Sequence, residues 1–140
     1  MASQPVEVMV VDDEPMVGKR LEPMLARMGC AVEVFSDPYA ALLRLPKKRF
    51  DIVVSDIRMD EVTGLDILET ALKVSPDTRV ILITGYAMMS LARDAMAKGA
   101  FDFIAKPFTP DDLRGAVTRA AQSLGLTLDA SAPQGQESRA

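Results

Sequence analysis

The 140-residue chain has no histidine, no tryptophan, one cysteine and two tyrosines. Without histidine the chain alone cannot build an imidazole zinc site, a Ser-His-Asp hydrolase or a Cys-His nucleophile. It cannot carry a phosphoryl group on histidine either, so any phosphohistidine must come from a partner. The lone Cys30 rules out an internal disulfide and suits a reducing compartment. Its bland reading, a small apolar residue entering a strand, is the better one. No apolar run reaches the length of a membrane span, and the opening MASQPVEV lacks a basic segment followed by an apolar one. A cytoplasmic protein with no membrane part is expected. The net charge of −4 offers nothing to nucleic-acid phosphates, so no direct nucleic-acid binding is expected.

What is present is a chain 49% hydrophobic, long enough for one domain with a real core. Strand-like runs at 6–11, 31–35, 51–55, 79–83 and 101–105 alternate with amphipathic segments. Residues 15–28 carry Val17, Leu21, Met24, Leu25 and Met28 at helical spacing, with Pro15 leading and Asp13 or Glu14 as cap. Pro23 removes an interior hydrogen bond and predicts a kink. Asp37-Pro38 opens a helix that ends before Phe50, and Gly64 starts one carrying Leu65, Leu68 and Leu72. Met88, Leu91, Ala92, Ala95 and Met96 form the next stripe, closed by Lys98-Gly99. Thr109-Pro110-Asp111-Asp112 starts the last helix, striped by Leu113, Val117, Ala120 and Leu124.

Nearly continuous apolar strands alternating with helices predict a doubly wound, parallel α/β sheet covered on both faces. The domain is expected over 1–124. Residues 125–140 turn to Ala, Ser, Gln, Gly and Pro, and are expected to form a disordered tail or linker stub, too short for a DNA-binding domain.

The polar residues that end these strands carry the chemistry. Asp12-Asp13 follow VEVMVV, Asp56 follows DIVVS, Thr84 follows VILI and Lys106-Pro107 follow FDFIA. In a parallel sheet all four ends open on one edge, where α/β proteins place ligands. Three carboxylates, a hydroxyl and an ammonium are therefore expected to converge on a Mg²⁺ and phosphoryl-transfer site. Each has a bland alternative: Asp56 as a loop residue satisfying amides, Asp13 as a helix cap, Lys106 as a surface lysine, Thr84 as a β-branched strand end. Five such groups in order, at the ends of four strands, outweigh those readings taken together.

These motifs resemble the receiver domain of two-component response regulators over residues 5–124. DIRM (56–59), ITGY (83–86) and AKGAFDFIAKPF (97–108) resemble receivers of nitrogen-regulator and nitrogen-fixation type transcription regulators. The resemblance implies a flavodoxin-like (βα)5 sheet of strand order 2-1-3-4-5. It implies phosphoryl transfer from a histidine kinase or phosphotransfer protein onto Asp56, a carboxylate able to hold phosphorus as an acyl phosphate. Mg²⁺ would be bound by Asp13 and Asp56 directly, by Asp12 through water and by the backbone carbonyl of Arg58. Lys106 and Thr84 would hold phosphoryl oxygens, Gly85 would leave room for the donor imidazole, and Tyr86 would screen the acyl phosphate from water. Phe103 stands at the switch position, with ordinary core as an equal alternative. Lys106-Pro107 is expected to be cis. The chain would be a signalling domain that catalyses its own phosphotransfer and dephosphorylation. Its output would pass to a downstream protein target or a homodimer through residues 84–124, with Arg93, Lys98, Asp102, Arg114 and Arg119 as interface charges.

The sequence also departs from the family pattern, with Asp60 where proline is common and Val62-Thr63 before Gly64. Three rival readings stand against this one. An aspartate-based acyl-phosphate hydrolase wants a second acid two residues past the nucleophile, where Arg58 stands. A flavin carrier needs a phosphate loop after the first strand, where VVDDEPM places acids. A binding module that works without phosphate stays open at this point.

Overall fold

The computed structural model describes residues 4–59, 61–85 and 89–128. Five parallel strands, β1 (Val6–Val11), β2 (Cys30–Phe35), β3 (Ile52–Asp56), β4 (Arg79–Thr84) and β5 (Asp102–Ala105), lie in the order 2-1-3-4-5. The connecting helices are α1 (Pro15–Arg27), α2 (Pro38–Arg44, continued by a 3-10 turn at Leu45–Lys47), α3 (Gly64–Val74), α4 (Met89–Ala97) and α5 (Pro110–Ser123). The predicted strand order holds. It puts β1 beside both β2 and β3, so the chain reverses its winding between β1 and β3. A crevice opens at the carboxyl ends of those two strands.

Side-chain alternation decides which layer each strand residue joins. Val6, Val8, Val10, Ile52, Val54, Ile81 and Ile83 face one way and pack with Leu21 and Leu25 of α1 and Leu113 and Val117 of α5. Met9, Val11, Val53, Val80 and Leu82 face the other way and meet Ala41 of α2, Ile67 and Leu68 of α3, and Ala92 and Ala95 of α4. Burying each large aliphatic side chain is worth about 1.5–3 kcal/mol, so the two layers dominate the favourable side of folding. Cys30 is buried in the first layer, where desolvation pushes its thiol up to about 12 and leaves it inert.

Local signals place the helix ends. Asp37 accepts the Tyr39 amide, and Thr109 with Asp112 forms a reciprocal capping box. Thr63 and Asp66 form a second such box at α3, a T-x-x-D pattern that the sequence reading passed over. Gly99 adopts φ 111°, a conformation that suits glycine, and closes α4 as expected.

Several expectations need correcting. Neither Asp13 nor Glu14 caps α1 with its side chain: Glu14 holds the cap position without a side-chain bond. The amide of Glu14 is instead taken by Asp12 Oδ1 at 2.9 Å. Pro23 stands inside the helix on its exposed side, and the continuity of α1 past it is compatible with the expected kink. Met96, expected in the buried stripe, is exposed, because α4 rests on the small Ala92 and Ala95. Met88 lies outside the described residues. Past α5, Leu126 and Leu128 still pack against the core, with the Leu126 amide on the Ala121 carbonyl at 2.9 Å. Residues 129–140 lie outside the description.

Candidate functional site

Four of the five groups expected at the crevice come together there, the carboxylates of Asp12, Asp13 and Asp56 and the ammonium of Lys106, while the Thr84 hydroxyl is bonded to the Gly85 carbonyl. One carboxylate oxygen from each of Asp12, Asp13 and Asp56 can be chosen so that all three lie within 4.8 Å of one another. Asp12 and Asp56 are buried and Asp13 is exposed. Asp56 and Thr84 are the last residues of their strands, one position further into the sheet than the sequence suggested, and so are rigidly held.

Asp56 is held at both oxygens. Oδ1 accepts the Arg58 amide at 3.2 Å, and Oδ2 pairs with Lys106 Nζ at 2.8 Å. Lys106 reaches it because β5 ends beside β4, with the Lys106 amide on the Thr84 carbonyl at 2.7 Å. The Lys106-Pro107 bond is cis, as expected. Gly64 brings α3 against this strand end: a Cβ there would fall 2.7 Å from the Asp56 carbonyl oxygen and 2.8 Å from Ile57 Cα.

The electrostatics are unbalanced. Burial raises the Asp12 carboxyl to about 6; the Glu14 amide pulls it back, Asp56 and Asp13 push it up, and Lys106 opposes them. Desolvation pulls the Lys106 ammonium down, yet the hydrogen bond and charge of Asp56, with Asp12 and Glu14, leave it above the ordinary lysine value. Three carboxylates thus face one lysine. Asp12 Oδ2 is buried with no hydrogen-bond partner among the described residues. Such an orphaned oxygen costs free energy unless a donor or cation meets it. All-oxygen donors with excess negative charge fit a hard divalent cation.

The remaining predicted residues fall as follows. Thr84 is fully buried, and its hydroxyl donates to the Gly85 carbonyl at 3.0 Å, so it is engaged elsewhere in this state. Gly85 borders open space, with nothing among the described residues within 4 Å of a Cβ placed there. Phe103 is half-buried: it opposes Leu82 in the sheet and packs on the α4 layer, beside the Thr84–Ala105 pair. The structure thus places it between core and surface. Arg58 exposes its side chain. Of the interface charges, Arg93 and Lys98 are exposed, while Arg119 pairs with Asp102 at 3.2 Å and Arg114 pairs with Asp111. Tyr86 and Asp60 lie outside the described residues.

Sequence reasoning missed a neighbouring group: Asp37, Tyr39 and Glu61, which line a cleft with Asp13. Tyr39 and Glu61 are 22 residues apart, so only their hydrogen bond, from the start of α2 to the loop between β3 and α3, reveals them.

A parallel 2-1-3-4-5 sheet with an acidic, lysine-bearing crevice defines a class, and the comparisons identify it. Residues 8–118 match the response regulator receiver domain family, and the chain belongs to that family. It is 35% identical over 122 residues, 87% of this chain, to the C4-dicarboxylate transport transcriptional regulatory protein DctD of Rhizobium meliloti. It is 36% identical over 117 residues, 84% of this chain, to the transcriptional regulatory protein FixJ of the same organism. The chain spans 26% of the length of that DctD and 57% of that FixJ. A receiver domain protein from Clostridium thermocellum superposes with a TM-score of 0.81 at 30% identity, covering 86% of this chain and 97% of that one. The chain is therefore a receiver domain of two-component response regulators, as its motifs suggested. No described helix is long and apolar enough to cross a membrane.

Proposed function

We propose that this receiver takes a phosphoryl group from the phosphohistidine of a histidine kinase or phosphotransfer protein onto Asp56. The observation that carries this reading is the cluster of Asp12, Asp13 and Asp56 with Lys106 on the Asp56 oxygen. An Asp56 oxygen attacks phosphorus, the phosphorus–nitrogen bond of the donor breaks, and the donor ring, protonated on its other nitrogen, takes the bonding pair and leaves as neutral imidazole. Lys106 passes from Asp56 to a phosphoryl oxygen as a mobile point charge. Asp12, Asp13, Asp56 and the Arg58 carbonyl would hold Mg²⁺, which when bound screens carboxylate from phosphoryl charge. Open space at Gly85 supports entry of an imidazole, and Tyr86 would guard the product from water.

Output follows from Thr84. When its hydroxyl exchanges the Gly85 carbonyl for a phosphoryl oxygen, the end of β4 shifts and the half-buried Phe103 repacks. Residues 84–124 carry the change to a protein target or a second copy. The domain is read as 1–128, since Leu126 and Leu128 pack on the core, with 129–140 as tail or linker. Within this role it catalyses its own phosphotransfer and dephosphorylation.

The test is incubation with Mg²⁺ and a small acyl-phosphate donor, followed by mass spectrometry. Phosphate at Asp56, lost in Asp56→Asn and on chelation, is the expected outcome. Undiminished labelling of Asp56→Asn would sink the assignment, and no labelling of the wild type would favour the phosphate-independent binding module.

A further inference from the structure

A cleft of about 690 Å³ adjoins the carboxylate cluster and is lined by Asp13, Ser36, Asp37, Pro38, Tyr39 and Glu61. Asp13 belongs to the cluster. The other residues come from the start of α2 and from the loop between β3 and α3. Tyr39 spans the two: its phenol donates to Glu61 Oε1, and its own amide donates to Asp37 Oδ1 at 3.0 Å. The tyrosine is thus fixed at both ends.

The β3–α3 loop carries Arg58. From beneath, burial of Ile57, Met59 and Val62 anchors it, and the Gly64 amide closes onto the Ile57 carbonyl at 2.8 Å. Those contacts set the depth of the loop in the core. Glu61, on the outer edge of the loop, is exposed. The Tyr39–Glu61 bond ties that edge to α2. Its donor persists at neutral pH, because the hydrogen bond to Glu61 raises the phenol above its ordinary value.

We infer that Tyr39 is a positioning residue for the cation site, acting through Glu61 to hold the Arg58 loop against the carboxylate cluster. This rests on the reading of that cluster as a Mg²⁺ site. Tyr39 is not assigned as a ligand of the cation or of the phosphoryl group. It restricts the loop that must present a backbone oxygen, so that less order has to be imposed on binding.

The experiment is a calorimetric Mg²⁺ titration of the full chain and its variants. Losing one such hydrogen bond should raise the Mg²⁺ Kd about two- to tenfold in Y39F and in E61A. The double variant should bind no more weakly than either single one. E61Q, which keeps an acceptor for the phenol, should stay within about twofold of the wild type, as should L43A, exposed on the same helix outside the cleft. Amide exchange in residues 57–59 and 61–63 should quicken in Y39F while β3 and β4 stay protected, and the thermal midpoint in chelator should not move. An unchanged Kd in Y39F, or independent additive effects of Y39F and E61A, would overturn the inference. Tighter binding in Y39F would overturn it too, because the phenol would then be keeping Glu61 out of the cation's shell. If the wild type itself fails to bind Mg²⁺, the reading of the carboxylate cluster falls first and takes this inference with it.

Discussion

The two ends of the sheet use the same residue types to opposite effect. At the amino end, Asp51 is nearly buried, but both its oxygens are used: Oδ2 accepts the Glu7 amide at 2.9 Å and Oδ1 pairs with Arg49 at 2.7 Å. Thr78 donates to the Phe50 carbonyl at 2.7 Å, and Arg79 reaches across to Ser123 Oγ at 2.8 Å. Beside them Glu33 takes Arg44 on both oxygens and Lys48 on one, while Lys48 also meets Glu7. At the carboxyl end, three carboxylates cluster near one lysine, which pairs with Asp56, and among the described residues an Asp12 oxygen has no hydrogen-bond partner. Burial of a polar group is therefore no mark of function in itself. The mark is burial with its bonding left incomplete, since that cost persists only where a ligand offsets it.

The largest effect expected at the carboxyl end is chemical. Lys106→Met should reduce phosphate transfer severely while leaving the fold intact, checked by single-turnover labelling and circular dichroism. Labelling at the wild-type rate would mean that Lys106 only balances charge. Next, Asp51→Ala at the amino end should destabilise the protein by about 1–3 kcal/mol in urea, because it strands the Glu7 amide and frees Arg49. The contrasting substitution is Asp12→Asn, which keeps an acceptor for the Glu14 amide and removes a repelled charge. In chelator at neutral pH it should stabilise the protein by about 1 kcal/mol, given the desolvation and like charges it relieves. Added Mg²⁺ should then raise the wild-type midpoint more than that of the variant. If both Asp51→Ala and Asp12→Asn destabilise alike, the contrast between the two ends collapses.

The smallest effect belongs to Glu33, whose bonds to Arg44 and Lys48, working against its desolvation, lower its carboxyl to about 2. A depressed carboxyl stabilises the fold above the unfolded value, and that stability fades as pH falls through the folded one. Because the pair is partly exposed, Glu33→Gln should cost under about 1 kcal/mol at pH 7 and nothing measurable near pH 2, compared by urea titration at both. A cost that persists unchanged in acid would show that packing, and not charge, carries the interaction.

Much of the fold was legible because its signals are local. The two-residue alternation in VEVMVV and VILI sorts side chains between layers whatever lies elsewhere, and Thr109 with Asp112 caps its helix from three residues away. The misreadings arose where strand position and packing against the sheet overrode what spacing and capping rules suggest. Asp12, positioned by β1, captured the Glu14 amide that Asp13 or Glu14 was expected to satisfy through a cap. Met96 was assigned to the core by spacing, yet the close approach permitted by Ala92 and Ala95 leaves it outside.

The amino-acid sequence by itself determined the order of strands and helices and which residue types stand at the strand ends, because period and capping act within a few residues. It also carried the motifs that resemble a receiver. Only the tertiary structure decided which acid is buried with an unmet oxygen, which oxygen of Asp56 the lysine holds, and that Tyr39 meets Glu61. Those outcomes depend on distances between strands and loops far apart in the chain, and such distances exist only once the two hydrophobic layers have closed on the sheet.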